Sequence, residues 1–437
     1  MSAYVNLEFI LMDIIQRINP SNSDWTMRLQ VMEDLRAVVR SVENLRGCTV
    51  EPYGSFVSNL FTKWGDLDIS IELHEGSFIS NLGKNMKLAC LKDLQKALRR
   101  KQAGWRRLQL ISHARVPILK TEAHPSHISC DISINNLSGQ MKSKLLYWIN
   151  EIDGRFRNMV LLVKEWAKRQ GINDSKTGTL NSYSLSLLVI FHFQTCVPPL
   201  LPPLKEIYPG NLAVDLAGHR ENAEKQIEEI CAKNINRFRS DRSRAINPIY
   251  LSDLLVSFFA KFCDIEVKAS VEGLSPYTGQ WESIAHNTIW MPKTYALFVE
   301  DPFEQPGNSA RAVSTRQLKR IGQAFRSTYV TLSSPNEDRN NILATLVSPQ
   351  AYNSFEGSGA GPSHSNNGYG NRQQRHGPNA AQQVNNNNNN QVQRTRQARP
   401  GRPFRPQPPP PPPIMQVPPP PPPPSSAPQN QVWRPRS

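Results

Sequence analysis

Residues 52–73 open with Pro52-Tyr53-Gly54-Ser55-Phe56, pass through an apolar turn or helix, and end Asp66-Leu67-Asp68-Ile69-Ser70-Ile71-Glu72-Leu73. The last eight residues alternate polar and apolar without a break, the pattern of a half-buried β-strand. Asp66 and Asp68 stand at i and i+2, so both carboxylates leave the same face of that strand. Held side by side they repel each other unless a cation lies between them. Mg²⁺ suits that place, with Mn²⁺ as its substitute, because it takes hard oxygen ligands and leaves room for phosphate and water. A second strand, Cys130-Asp131-Ile132-Ser133-Ile134, carries Asp131 on its polar face. If the two strands are neighbours, three carboxylates converge and can hold two ions about 3.5–4 Å apart. Eleven residues ahead of Asp66, Gly54-Ser55 offers backbone N–H groups and a hydroxyl at a turn into a helix, donors that suit a triphosphate. Taken singly, the two aspartates read as a solvated strand face and the Gly-Ser pair as an ordinary turn.

Working outward, Met27, Val31, Leu35, Val38, Val39, Val42 and Leu45 follow helical spacing, and Cys48–Tyr53 is extended. Lys87–Arg100 reads as a helix; Arg107–Ile111, Arg115–Lys120 and Ile128–Ile134 read as strands. From Arg157 onward the pattern is helical, with segments at Met159–Arg169, Ser182–Phe193, Asn222–Ala232 and Leu251–Lys261. The fold class expected is α+β: a mixed-sheet domain over 46–150 and a mainly helical domain over 151–345. Residues 1–45 are a helical segment assigned to the helical domain. A cleft between the two domains is the expected ligand site.

The 437 residues carry a net charge of +15, of which +8 falls in residues 351–437, where nine Arg meet one Glu and no Lys. Asn385–Asn390 is a homopolymer, and Pro408–Pro413 and Pro418–Pro424 are unbroken proline runs. That composition cannot bury a core, so 351–437 is expected to be a disordered tail with polyproline II stretches. The longest apolar stretch, Leu185–Phe193, is too short to span a membrane, and Met1–Ile18 lacks the form of a signal peptide. Six scattered cysteines without a Cys-x-x-Cys pair fit a reducing compartment and no zinc module. A soluble cytosolic or nuclear protein with no membrane partner is expected.

The run Pro52–Phe56, Asp66-Leu67-Asp68-Ile69 and then Asp131 resembles the signature of DNA polymerase β-like nucleotidyltransferases. Arg115–Lys120, Val163–Asn173 and Asn181-Ser182-Tyr183-Ser184 narrow the likeness to noncanonical poly(A) polymerases and terminal uridylyltransferases. It runs to about residue 345 and is strongest with the plant small-RNA terminal uridylyltransferases, which also end in Gln/Asn/Pro-rich tails. The resemblance implies a nucleotidyltransferase catalytic domain followed by a poly(A) polymerase-associated-type helical domain.

Carried over residue by residue, the resemblance gives Gly54 and Ser55 to the triphosphate, Asp66 and Asp68 to both metals, and Asp131 to activation of the RNA 3′-hydroxyl. Lys164 and Lys168, on one helical face, would grip the β- and γ-phosphates. Ser182 would add a phosphate contact, Tyr183 would stack under the base, and Asn136 would reach ribose or base. The block Phe298–Glu304 resembles the family's nucleotide-recognition loop (near 298–308), where Asp301 and Glu304 would orient the base. Several uridylyl-specific members carry a His three residues after that Glu; this chain has Gly307.

RNA affinity is expected from basic surface: Arg99, Arg100, Lys101, Arg106 and Arg107 with Trp105 among them, and Arg237, Arg239, Arg242 and Arg244. The other reading of each cluster is a solvated helix end. The resemblance implies UMP transfer from UTP to unmethylated 3′ ends of single-stranded small RNAs and cleaved mRNA fragments, marking them for decay in RNA-mediated gene silencing. It also implies an Argonaute-type effector docking through the C-terminal region, and residence in nucleus and cytoplasm, including cytoplasmic RNA-decay bodies. Two alternatives stay open: a poly(A) polymerase using ATP, favoured by Gly307, and an RNA-binding scaffold on an inactive transferase fold.

Overall fold

The computed structural model describes residues 4–73, 79, 82–100, 104–290, 295–334 and 337–356. Lys101 and residues 357–437 lie outside them, so the expectation for the tail concerns residues not described, except that 351–356 belong to a helix.

Five strands, β1 (Thr49–Tyr53), β2 (Leu67–Glu72), β3 (Trp105–Ile111), β4 (Ile118–Ala123) and β5 (Ile128–Ile134), form one sheet in the order β1-β2-β5-β4-β3. Only β2 and β5 run parallel; the other pairs are antiparallel. A mixed sheet is what the sequence leads one to expect, but β4 starts at Ile118 rather than Arg115. Pro117 has no N–H to give to the ladder, so pairing begins just after it. In β2, Leu67, Ile69 and Ile71 are fully buried, as befits an inner strand.

The helices are α1 (Val5–Ile18), α2 (Asn22–Val39), α3 (Lys84–Arg100), α4 (Leu137–Asn150), α5 (Arg155–Arg169), α6 (Ser182–Gln194), α7 (Leu212–Asp215), α8 (Arg220–Ser240), α9 (Leu251–Phe262), α10 (Ile265–Lys268), α11 (Thr315–Ser333), α12 (Arg339–Leu346) and α13 (Pro349–Glu356). A two-stranded ribbon, β6 (Glu272–Ser275) and β7 (Gln280–Ser283), interrupts them. Helix starts follow their caps: Ser21 and Asp24 close a reciprocal capping box on α2, and Asn181 accepts from the Ser184 N–H at α6.

Two apolar cores result. In one, Val31, Leu35 and Val38 of α2 and Leu91, Leu94 and Leu98 of α3 pack against Leu67, Ile69, Ile132 and Ile134 of the sheet. In the other, α1 joins α4, α5, α6, α9 and α11 around Trp166, Phe259 and Phe325. The segment 1–45 therefore divides: α1 enters the helical core, whereas α2 covers the sheet. Similarly, Met141, Leu145 and Ile149 of α4 face the helical core, although α4 lies before residue 150. Among the described residues, no helix is long and apolar enough to cross a membrane.

Candidate active site

The sheet places a row of polar side chains across four strands. Tyr53 on β1 pairs with Asp68 on β2, Asp68 pairs with Asp131 on β5, and Asp131 pairs with Lys120 on β4. Paired residues point to the same side of a sheet, so all four side chains share a face. Asp66 sits just ahead of β2, two residues from Asp68. The Lys120 ammonium lies 3.0 Å from an Asp131 oxygen and 3.3 Å from an Asp66 oxygen. Burial works to lower the Lys120 pKa, but Asp66 and Asp131 outweigh it and hold the ammonium above its ordinary range.

Asp68 is the strained member. Burial first, then Asp131 and Asp66, pushes its carboxyl up to about 7 against the pull of Lys164 and Lys120. The Gly54 turn explains how it is held. Gly54 adopts φ +70°, and a Cβ there would meet Asp68 Oδ2 at 2.0 Å, so only glycine lets the backbone come this close. The Gly54 N–H donates to Ser143 Oγ at 2.6 Å, and the Gly54 carbonyl accepts from the Ser58 backbone N–H and hydroxyl, both at 3.1 Å. Residues 54–59 form turns and not the helix expected after Gly54-Ser55. The loop into Asp66 is held by Arg28, 1% exposed, whose guanidinium donates to the carbonyls of Lys63 (3.1 Å) and Gly65 (2.7 Å).

A divalent cation is implied by this donor set, and the residues fit one. Asp66, Asp68 and Asp131 supply hard oxygens in charge excess, and a lysine ammonium already stands between two of them as a cation would. Among the described residues, no three His, Cys, Asp or Glu side chains are arranged to hold a metal ion by themselves; the three aspartates would need a nucleotide's phosphates or water to complete a coordination shell.

On the helical side, the Lys164 ammonium donates to the Leu60 carbonyl at 2.8 Å, and burial, then Lys168, lowers its pKa to about 8. Lys168 itself is exposed and pairs with buried Glu165 at 2.9 Å. Ser182, exposed in the first turn of α6, donates to Asn173 Oδ1 at 3.3 Å, and Ser55 is half-buried in the Gly54 turn. Asn136 caps α4, its Oδ1 accepting from the Gly139 N–H at 3.3 Å, so that oxygen serves the helix rather than a ligand.

The loop near 298–308 comes together with α4 and α6. Tyr183 Oη donates to Asp301 Oδ1 at 2.9 Å; burial, then Asp301, keeps the phenol well above its ordinary pKa. Lys142 pairs with Asp301 and, at 3.0 Å, with Glu304; its ammonium lies 5.4 Å from the Tyr183 ring centroid. Glu304 also accepts from the Ser138 hydroxyl and lies 3.4 Å from Arg115. Burial works to raise the Glu304 carboxyl, but Lys142, Ser138 and Arg115 together hold it below its ordinary value. A cavity of about 860 Å³ opens beside this cluster, lined by Asn136, Ser138, Lys142, Arg115, Arg311 and Glu304 among others. The loop closes on itself through Asp301 N–H to Gly307 O (2.7 Å) and Gly307 N–H to Glu304 O (2.8 Å). A Cβ at 307 would meet that Glu304 oxygen at 2.7 Å, so no larger residue fits without moving backbone.

Sequence reasoning missed Lys120, Lys142, Ser138, Ser143 and Arg28. Lys120 and Lys142 sit on polar faces that look solvated in one dimension; only the register and the loop contact give them partners. The basic stretch fares differently. Trp105 is 7% exposed, in the core, and cannot stack on RNA. Arg107, on the edge strand β3, pairs with Glu122 of β4 at 3.0 Å, and Arg99 and Arg100 end α3. In the second cluster the Arg244 guanidinium covers the Phe238 ring at 3.7 Å.

Residues 7–151 match the family profile described as poly(A) RNA polymerase, mitochondrial-like, central palm domain. The chain is 55% identical over 372 residues to Protein HESO1 of Arabidopsis thaliana, covering 85% of this chain and 72% of that protein. It is 26% identical to the poly(A) RNA polymerase cid11 of Schizosaccharomyces pombe, covering 74% of this chain and 62% of that one. Among solved structures, the Cid1 poly(U) polymerase with MgGTP superposes with TM-score 0.60 at 24% identity, covering 77% of this chain and 98% of that one. A cytoplasmic RNA terminal U-transferase superposes with TM-score 0.61 at 22% identity, covering 80% and 99%. These two show a shared fold. The polar row across β1-β2-β5-β4, with Lys164 and Tyr183 on the helical side, is the candidate site, and by its 55% identity to HESO1 over most of both proteins the chain belongs to the HESO1 family.

Proposed function

We propose that the chain adds UMP from UTP to the 3′-hydroxyl of single-stranded RNA without a template. The observation that carries this reading is the convergence of Asp66, Asp68 and Asp131 around Lys120, within a chain 55% identical to HESO1. The RNA 3′-oxygen attacks the α-phosphorus of UTP, the bond from that phosphorus to the bridging α–β oxygen breaks, and pyrophosphate leaves. Asp131 takes up the hydroxyl proton. Asp66 and Asp68 would hold Mg²⁺, or Mn²⁺ in its place, which would supply positive charge to the phosphoryl transfer. Lys164 and Lys168 neutralise the outer phosphates, and Ser55 and Ser182 donate to them. Tyr183 stacks on the base, with Asp301 and Glu304 at its edge.

The substrates in this reading are small RNAs and cleaved mRNA fragments with a free terminal 2′-hydroxyl, tailed for decay. A 2′-O-methyl group removes a donor and adds bulk beside the attacking oxygen. Support for an Argonaute-type partner is the arginine- and proline-rich composition of 351–437, and support for nuclear and cytoplasmic residence is six unpaired cysteines.

The test incubates the full chain with Mg²⁺, one NTP at a time, and a labelled 21-nucleotide RNA ending in a 2′-hydroxyl or a 2′-O-methyl group. Extension with UTP on the unmethylated RNA, lost in Asp66→Ala/Asp68→Ala, is expected. Equal extension of both RNAs would remove the methylation claim. Extension mainly with ATP would make the protein a poly(A) polymerase, and RNA binding without extension would make it a scaffold.

A further inference from the structure

We infer that Lys142 reads the O4 carbonyl of uracil and sets the choice of UTP over CTP and ATP in this chain. The inference rests on the uridylyl reading above and supplies a determinant that the loop lacks. Gly307 is fixed by the loop's own hydrogen bonds, and a side chain there would collide with the Glu304 carbonyl at 2.7 Å. Base choice therefore has to come from elsewhere around Tyr183.

Lys142 contacts Asp301 and Glu304 beside the Tyr183 ring, whereas Arg115 lies 3.4 Å from Glu304. It projects from α4, is 17% exposed, and lines the 860 Å³ cavity together with Ser138 and Glu304. Its ammonium contacts both loop carboxylates and lies 5.4 Å from the Tyr183 ring centroid. An ammonium has three N–H donors and no acceptor. Two are engaged by Asp301 and Glu304, which leaves one for a ligand at the edge of the ring that Tyr183 supports.

The four bases differ at that edge. With the six-membered ring in one stacking position, uracil offers O4 and guanine O6, both acceptors; cytosine and adenine offer amino donors in the same place. An ammonium cannot accept from an amino group, so a donor facing it loses a hydrogen bond and leaves both groups unpaired. Next to it, Glu304 is held ionised and can accept the uracil N3–H, whereas cytosine N3 and adenine N1 present lone pairs to it. Uracil alone among the pyrimidines satisfies Lys142 and Glu304 together. Hydrogen bonds to charged groups are stronger than those between neutral groups, and a buried polar group left unpaired enlarges the discrimination.

The experiment uses the full chain and compares kcat/KM for UTP, CTP, ATP, 4-thio-UTP and 2-thio-UTP in wild type, Lys142→Met and Lys142→Gln. Sulfur at position 4 weakens the acceptor without changing the ring. The expected result is a loss of about tenfold or more for 4-thio-UTP but not for 2-thio-UTP in wild type. In Lys142→Met that difference should fall to within about twofold, and the preference for UTP over CTP should fall with it, by about tenfold; Lys142→Gln, which keeps an N–H donor, should retain part of both. A purely structural role, neutralising Asp301 and Glu304, would lower every substrate alike and leave the thio ratio unmoved, which overturns the inference. Should Lys142→Met fail to fold, the wild-type thio series decides: UTP preferred with no penalty at position 4 sinks the role of Lys142 alone. ATP preferred by wild type sinks the uridylyl reading and this inference with it.

Discussion

Asp68 and Asp131 are register partners on adjacent parallel strands, β2 and β5, which sets their carboxylates side by side on one face of the sheet. The pairing links two stretches of sequence 63 residues apart, and it accounts for both the chemistry and the instability of the site. Like charges at this spacing, half-covered by protein, are unfavourable until a cation arrives. Activity and stability are therefore expected to respond in opposite directions when one is removed.

Asp68→Asn tests this directly. The Asp68 proton is retained to about 7 in the folded chain but is lost near 3.9 when unfolded. Between those values the folded form binds more protons, so stability falls as pH rises. In metal-free buffer at pH 8, Asp68→Asn should melt above wild type while extension falls by about 1,000-fold or more. A variant that is both inactive and less stable would contradict the assignment of strain to Asp68.

Gly54→Ala should have a different signature. The new methyl would sit 2.0 Å from Asp68 Oδ2 and would demand φ +70° of a residue with a Cβ. The expected loss is at least about 100-fold in kcat, from misplacement of the carboxylate, with destabilisation of about 1–3 kcal/mol. Thermal melts beside single-turnover kinetics separate the two effects.

Gly307→His asks whether the loop can accept the side chain that several uridylyl-specific relatives carry. Because the Gly307 Cβ position is 2.7 Å from the Glu304 carbonyl, the substitution should lower turnover with UTP and ATP together. A rise in the UTP/ATP ratio at undiminished UTP turnover would show that the loop opens readily.

His192 predicts the acid limb of stability. It is 1% exposed, and its Nε2 lies 3.0 Å from the Leu254 carbonyl and 3.3 Å from Ser257 Oγ. Burial, then Lys261, lowers its pKa to about 3. The unfolded chain takes up this proton near 6.5 and the folded chain does not, so stability is present above that value and is lost as pH falls below it. Denaturant unfolding at pH 7 and pH 5 should differ by up to about 2 kcal/mol from this residue, and His192→Gln should remove that part of the difference. An unchanged slope in the variant would assign the acid limb to other groups.

Much of this was legible in the sequence because the relevant patterns are local. The alternation from Asp66 to Leu73 identified β2, and the two aspartates at i and i+2 declared a shared face. The helical run after Arg157 was equally plain, though Met159–Arg169 begins earlier, at Arg155. What stayed hidden depends on contacts between distant segments. Lys120 gains meaning only from the β4–β5 register, and Lys142 only when a loop 159 residues later closes on it. The division of residues 1–45 was hidden for the same reason: α1 and α2 are both amphipathic, and nothing within either says which core it will cover. Trp105, grouped with arginines, looked like a stacking platform until strand pairing with Ala123 turned it into the core.

The most direct test of the central claim offers the full chain all four NTPs together at equal concentration, with Mg²⁺ and an unmethylated 21-nucleotide RNA, and sequences the added 3′ nucleotides. The expected result is tails composed overwhelmingly of uridine. Tails composed of adenosine, made at the same three aspartates, would contradict it and assign this site to poly(A) synthesis.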